Sequence, residues 1–229
     1  MRTARAAIVL ALRALLAVGL LGLGPARAND RPGGQPRGPF ARSLPLVFDS
    51  ERITLEILGD SLEVRGRYLL RCQGRGDASI PLVYPFPQDS LLGGWRFVSL
   101  EVRPGLAGAA KPARWDSLPG RAAVRWWLPP CASDTLIAEA VYRQALHGGY
   151  ARYIVTSTRA WERPLRHAAF EIRLPAGIEP VEFSLPFAAS EGETGVYRYE
   201  ATDFLPDRDV TLRWRSAPPA VPSPSVMAR

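Results

Sequence analysis

The sequence is poor in the residues that most often catalyse reactions or bind metals. Its 229 residues include two histidines and two cysteines. The histidines, His147 and His167, have no partner at the spacing of a metal-binding motif. There is no Gly-x-Ser-x-Gly nucleophile elbow and no glycine loop that could cradle a phosphate. These absences predict a protein that is not an enzyme and that needs no metal or other cofactor.

Lysine is almost absent, since Lys111 is the only one and every other basic residue is arginine. Arginine binds carboxylates and phosphates with two parallel hydrogen bonds, which suits a polyanionic ligand, but genomic codon bias explains the same skew. The formal charge is +7 for the whole chain. It falls to +3 without the four arginines of residues 1–28. So small an excess argues against nucleic acid as a partner.

The N-terminus has the pattern of a secretory signal peptide. Arg2 and Arg5 precede an apolar run over residues 14–24, and small residues flank Arg27 at a cleavage site. We therefore predict a signal peptide over 1–28 and a mature chain that starts at Asn29 and is exported to the periplasm or beyond. The alternative is a retained anchor, which would have to tolerate Arg13 because the run is shorter than the roughly twenty residues of a spanning helix. No later run is long enough to span a membrane.

Cys72 and Cys131 both lie in the exported part of the chain. In an oxidising compartment, two cysteines most simply form one disulfide. A reactive thiol pair would need close spacing or a neighbouring histidine to lower a thiol pKa, and the sequence offers neither.

Alternating apolar and polar residues predict an all-β fold. The clearest strand runs from Leu62 to Cys72, with an apolar face and a face of Glu63 and arginines. Turn residues recur about every ten positions, which is typical of sandwiches and barrels. Residues 134–146 fit a helix or a strand, and the strand is favoured. We predict an antiparallel β-sandwich of about ten strands.

Composition also divides the chain. Residues 29–46 and the proline-rich tail 217–229 have no periodicity and are predicted to be a flexible segment and a disordered tail. The sandwich is predicted over 47–216. A break near 129–134, at Pro129-Pro130, would divide it into two β units packed against each other.

The motif Tyr84-Pro85-Phe86-Pro87 lies after a strand that carries Tyr68 and before one that starts at Trp95. In this arrangement, residues 52–102 resemble the vault protein inter-alpha-trypsin (VIT) type of β-sandwich. The later part, with Tyr142-Arg143-Gln144 and residues 204–214, is similar to secreted bacterial domains of unknown function. The resemblance implies the fold and no adhesion chemistry, because the metal-site domain that often accompanies VIT domains is missing. The prolines alone explain the motif as the end of a strand.

Two adjacent tryptophans mark a candidate binding surface. Trp126 and Trp127 must point to opposite faces of a strand, so one of them lies outside the core unless a second layer covers it. With Arg125, they form the candidate surface for a glycan or a polyanion.

Three carboxylates, Asp203, Asp207 and Asp209, are clustered around Pro206. Carboxylates at such intervals on a turn could bind calcium outside the cell. The alternative is that they cap the turn before the last strand and pair with Arg208 or Arg213.

Together, these features predict an exported, non-enzymatic β-sandwich that acts in protein interaction or assembly at the cell envelope. Its partner is then expected to be an envelope protein. The alternative function is that of a module that binds a glycan or an envelope polyanion through exposed tryptophan and arginine.

Overall fold

The computed structural model describes residues 45–216. The predicted signal peptide, nearly all of segment 29–46 and the tail 217–229 lie outside this part of the chain. Regular structure in it consists of fourteen strands and one short 3-10 helix, Thr156–Trp161. The strands are β1 (Leu46–Leu58), β2 (Ser61–Cys72), β3 (Ile80–Pro85), β4 (Leu92–Pro104), β5 (Lys111–Pro112), β6 (Arg114–Ser117), β7 (Ala123–Leu128), β8 (Thr135–Leu146), β9 (Tyr150–Tyr153), β10 (Leu165–Arg173), β11 (Ile178–Phe183), β12 (Ala188–Ala189), β13 (Val196–Phe204) and β14 (Val210–Ser216).

The largest sheet contains eight strands in the order β12-β13-β10-β1-β2-β8-β4-β5. Its pairs are antiparallel except that β1 and β10 run parallel. The alternation predicted for β2 is confirmed: Leu62 and Val64 are buried, whereas Arg65 and Arg67 are exposed. One face of this sheet therefore forms the core, and the other, the outer face, is polar.

Two three-stranded sheets, β3-β7-β6 and β11-β14-β9, cover the core face. Tyr68, on β2, contacts both. Its ring centroid lies 5.5 Å from that of Trp126 on β7, and its hydroxyl oxygen lies 3.3 Å from that of Tyr153 on β9. The predicted all-β sandwich is confirmed, with more strands than expected because several strands of two to four residues were too short to show alternation.

Aromatic rings fill much of the core. Tyr84 stacks on Trp126 with 4.7 Å between centroids, and Phe86 stacks on Trp95 at 4.1 Å. Strand β3 ends at Pro85, as the prolines predicted, while Tyr84 and Phe86 stay buried.

The two halves of the chain are interleaved in the large sheet. Strand β8 follows the predicted break at 129–134, yet it pairs with β2 and β4 from the first half. Strand β1 pairs in turn with β10 from the second half. One hydrophobic core contains residues of all three sheets. Residues 129–134 therefore connect strands of one folded unit.

Residues 134–146, whose sequence fits either a helix or a strand, form β8, Thr135–Leu146, so the predicted strand is confirmed. Cys72, at the end of β2, is joined to Cys131 by a disulfide with 5.8 Å between the Cα atoms. This bond joins the loop before β8 to the end of β2, which is the neighbour of β8 in the large sheet.

Within residues 45–216, no helix has the length and apolar character needed to cross a bilayer.

Candidate functional site

The structure separates the two adjacent tryptophans, as the alternation of a strand requires. Trp126 faces the core and is 3% exposed, so its assignment to a binding surface is wrong. Trp127 faces away from the core and is half-buried. The ring of Trp126 packs against Tyr84 and Tyr68 in the core, whereas the ring of Trp127 lies at the surface.

Trp127 is held within a small polar cluster on β6 and β7. Its indole N–H donates to Asp116 Oδ1 at 2.7 Å. The guanidinium carbons of Arg114 and Arg125 lie 5.2 and 5.6 Å from its ring centroid, within the range of cation–π contact. Arg125 and Trp127 are thus brought together as predicted, but they contact each other and leave less of the ring free for a glycan.

Two of the three aspartates near Pro206 have different hydrogen-bond partners, and Asp203 is exposed near the end of β13. Asp209 accepts hydrogen bonds from Arg152 and from Thr156, whose backbone N–H begins the 3-10 helix. Asp207 pairs with Arg208 on the exposed turn. Within residues 45–216, no three His, Cys, Asp or Glu side chains are arranged to hold a metal ion. The structure therefore favours the turn and ion-pair alternative over calcium.

The outer face of the large sheet shows a recurring ion-pair arrangement that the sequence did not predict. Three of its carboxylates each accept one arginine on each oxygen. The carboxylates are those of Asp49, Glu63 and Glu171, and their respective partners are Arg71 with Arg166, Arg65 with Arg143, and Arg173 with Arg198. Arg198 also pairs with Glu193, so the groups around Asp49 and Glu63 are the ones with two positive charges and one negative charge.

Arg52, like Arg96 and Arg103 on β4, is an arginine of this face that forms no ion pair among the described residues. It lies near the middle of the sheet on β1, is exposed, and has no ion pair or side-chain hydrogen bond within residues 45–216. Its direct neighbour across the β1–β2 pair is Arg67. Like charges directly opposite each other destabilise a sheet. The ion pair of Arg67 with Glu139, at 3.3 Å, offsets part of this repulsion.

Arg52 and Arg67 both line two adjoining grooves on the outer face, with volumes of about 250 and 350 Å³. The smaller groove has an apolar floor where Leu69 lies opposite Ile137, which is only 2% exposed although it faces away from the core. Leu106, 73% exposed, projects over this floor from the loop after β4. That loop is anchored by a hydrogen bond from the N–H of Gly105 to the carbonyl of Thr135. The groove thus combines a guanidinium pair with an apolar surface.

His167 and Ser50 complete the smaller groove. They are registered opposite each other across the parallel β1–β10 pair, and the His167 ring lies 3.6 Å from Glu200. No hydrogen bond connects Ser50 to His167, so this pair lacks the contact between nucleophile and base that a hydrolase requires.

Beneath the groove, on the core side of β1, lies a chain of buried hydroxyl groups that ends at a carboxyl group. The hydroxyls of Tyr84 and Tyr68 are 2.9 Å apart, and those of Tyr68 and Tyr153 are 3.3 Å apart. Tyr153 donates to Glu51 Oε2 at 3.4 Å. Burial raises the pKa of Glu51 to about 8, against an opposing effect of the Tyr153 hydrogen bond. The group is therefore a neutral acid at neutral pH.

Gly66 makes this hydroxyl chain sterically possible. A Cβ at position 66 would collide with the ring of Tyr68, two residues further along the same strand. Without a side chain at Gly66, the Tyr68 ring can lie over the strand and bring its hydroxyl to both Tyr84 and Tyr153.

Sequence reasoning placed Arg65 and Arg67 on the polar face of β2 but did not predict that they or any other residue line a groove. The one available signal was the alternation of arginines along β2, at positions 65, 67 and 71. The pairing of Arg52 with Arg67 depends on strand register, which the sequence pattern does not specify.

No family model and no curated protein matches the chain. The resemblance to VIT domains accordingly stays a prediction. Among solved structures, an M1 zinc metallopeptidase from Deinococcus radiodurans is similar over 75% of this chain and 43% of its own, at 14% identity and a TM-score of 0.44. Yeast LTA4 hydrolase is similar over 76% of this chain and 30% of its own, at 11% identity and a TM-score of 0.48.

The chain thus spans less than half the length of these solved structures. At such low identity and TM-scores, the likeness is limited to the arrangement of strands and transfers neither a zinc site nor a reaction. It nevertheless contradicts the prediction of a non-enzymatic domain for protein interaction or assembly at the cell envelope, together with the glycan and polyanion alternative. That prediction rested mainly on the absence of a catalytic motif, which gives no positive support for a non-enzymatic role.

Proposed function

We propose that the protein binds a ligand that carries a carboxylate beside an apolar group, in the smaller groove of the outer face. The observation that carries this proposal is the position of Arg52. It is an exposed guanidinium with no anionic partner, directly opposite a second arginine at the edge of an apolar floor. A carboxylate between the two would replace their repulsion with charge-assisted hydrogen bonds, which are the stronger class.

Electrostatics across the rest of the face supports this placement. The three carboxylates that each hold two arginines are already paired, and Glu200, in the same row of the sheet, lies two strands away from Arg52 across Ala169. The apolar floor of Leu69 and Ile137, with Leu106 above it, offers a contact for the body of the ligand. Fatty acids and peptide carboxyl termini share this combination of groups.

The proposal is tested with N-acetyl-leucine and its amide as probes, by titration of the 15N-labelled protein followed by NMR at low ionic strength. The acid is expected to bind at least tenfold more tightly than the amide, and the affinity to fall with added salt. Arg52→Gln should weaken binding of the acid at least fivefold. Arg208→Gln, which removes the same charge from an exposed turn, should leave it unchanged.

Equal affinities for the acid and the amide, or an unchanged affinity in Arg52→Gln, would overturn the proposal. Chemical-shift changes centred on β3, β7 or β9 in place of β1, β2 and β8 would also overturn it, because those strands lie on the other side of the large sheet.

The expected export is a separate part of the proposal. The disulfide between Cys72 and Cys131 supports it, since such bonds persist in oxidising compartments outside the cytoplasm. Mass spectrometry of the protein from its native host should give an N-terminus at Asn29. Recovery of the intact chain from the cytosol with its cysteines reduced would contradict export.

A further inference from the structure

The two grooves meet in a row of four charged side chains that crosses four strands. We define this charge row as Arg52 on β1, Arg67 on β2, Glu139 on β8 and Glu101 on β4. Each is registered with the next across its strand pair. All four line the larger groove. The row therefore changes from positive to negative in the middle.

The two inner members of the charge row neutralise each other, because Arg67 Nε lies 3.3 Å from Glu139 Oε1. The two outer members have no such partner. Neither Arg52 nor Glu101 takes part in an ion pair or a side-chain hydrogen bond in the described part of the chain, and both are exposed. The groove thus ends in an unpaired cation on one side and an unpaired anion on the other.

The separation of these two charges sets the size of a complementary ligand. Arg52 and Glu101 are three inter-strand steps apart, which corresponds to roughly 14 Å between their Cα atoms. Both side chains are long enough to lean inward over the groove. An extended tripeptide spans about 10 Å and a tetrapeptide about 13 Å from amine to carboxylate.

From this arrangement we infer that the ligand is a short zwitterionic peptide of three or four residues. It lies across the strands with its carboxylate on Arg52 and its amine on Glu101. The last side chain of the peptide then lies on the floor of Leu69 and Ile137, next to Arg52. Thr54 on β1 and Ser99 on β4 line the groove beside Arg52 and Glu101, where their hydroxyls can bond the two ends of the peptide. This inference rests on the proposed carboxylate site and specifies its ligand class and orientation.

The test uses Ala-Ala-Leu, its N-acetyl form and its C-terminal amide, with octanoate as a fourth probe. Binding to the wild-type protein is measured by NMR titration at low ionic strength. The free tripeptide is expected to bind at least fivefold more tightly than each blocked form and more tightly than octanoate. Ala-Leu, which is too short to reach both charges, should bind no better than the acetylated tripeptide.

Two substitutions establish the orientation. In Glu101→Gln, acetylation of the tripeptide should no longer reduce its affinity, whereas amidation should still do so. In Arg52→Gln, the reverse should hold. Glu182→Gln and Arg208→Gln, which change exposed charges away from the outer face, are the matched controls and should behave as the wild type.

The outcomes separate this inference from the proposed function. If amidation weakens binding but acetylation does not, the carboxylate site stands and the zwitterionic ligand is overturned. Octanoate that binds as tightly as the tripeptide would overturn it in favour of a fatty acid. If neither modification changes the affinity, both proposals fail.

Discussion

The hydroxyl of Tyr153 donates a hydrogen bond to Glu51 Oε2 across the interior of the sandwich, at 3.4 Å. It is the only hydrogen bond to this side chain in the described part of the chain, since Oε1 is buried without a partner. A carboxylate with one long hydrogen bond is poorly compensated for its lost hydration. Glu51 is accordingly stable there as the neutral acid.

This burial makes the free energy of unfolding depend on pH. The unfolded chain releases the Glu51 proton near pH 4.5, whereas the folded protein holds it until about pH 8. Between these values the unfolded state binds fewer protons, so stability falls as pH rises, by up to about 1.4 kcal/mol per pH unit. Burial raises the pKa values of Tyr68, Tyr84 and Tyr153 above the ordinary value of 10, so they do not titrate in this window.

Urea unfolding at pH 5, 7 and 9 measures this dependence. Glu51→Gln should flatten it and should be more stable than the wild type at pH 9. Glu191→Gln, an exposed substitution of the same type, should keep the wild-type slope. A slope that persists in Glu51→Gln would show that another group is responsible.

Removal of the disulfide should lower stability without changing the fold. Replacing both Cys72 and Cys131 with alanine opens a loop with a sequence separation of 59 residues. The chain-entropy relation gives a loss of about 4 kcal/mol, which would be measured by urea unfolding at fixed pH. A loss below about 1 kcal/mol would mean that the loop is held mainly by packing around Cys131.

The two adjacent tryptophans should differ strongly in their effect on stability. Trp126→Ala removes a buried ring that stacks on Tyr84 and should cost roughly 3–5 kcal/mol. Trp127→Ala removes the hydrogen bond to Asp116 and the cation–π contacts with Arg114 and Arg125 at the surface, and should cost about 1–2 kcal/mol. Similar losses in the two variants, measured by thermal unfolding, would contradict the opposite orientations of the rings.

Asp209 is expected to stabilise the chain through its hydrogen bonds and not through calcium. Although burial opposes ionisation, hydrogen bonds from Thr156 and Arg152 hold the pKa of Asp209 below its ordinary value of 3.8. Its contribution is therefore present above pH 4 and is lost as pH falls below it. Asp209→Asn should cost roughly 2–3 kcal/mol at pH 7. Millimolar calcium should leave the Tm of the wild-type protein unchanged, and a clear rise would restore the calcium prediction.

Local patterns in the sequence were enough to predict the strands with strict alternation, such as β2 and β8, because one face of each is apolar. The same patterns did not predict which strands pair when the paired residues are distant in sequence. The parallel β1–β10 pair joins residues more than a hundred positions apart, as in the pairing of Ser50 with His167. No local pattern specifies such a contact.

The candidate site was missed for the same reason. An arginine on the polar face of a strand is typical of any solvated sheet, and Arg52 gains significance only when Arg67 lies opposite it and Glu139 beyond. Strand β1 adds a further difficulty, because an irregularity between Phe48 and Ser50 shifts its register. Buried positions are even-numbered before it and odd-numbered after it, which brings Glu51 to the inside.

The interleaved order of the large sheet also constrains how the chain acquires its structure. The β1–β2 hairpin can form early, but its two edges stay unpaired until later strands are synthesised. The edge of β2 pairs with β8, and the edge of β1 pairs with β10, which is the last of the four strands in the sequence. Sheets that depend on such distant pairings form slowly and leave unpaired edges exposed to other chains in the meantime. Such slow pairing is compatible with the proposed export, because a chain whose sheet edges pair late stays unfolded for longer during its synthesis.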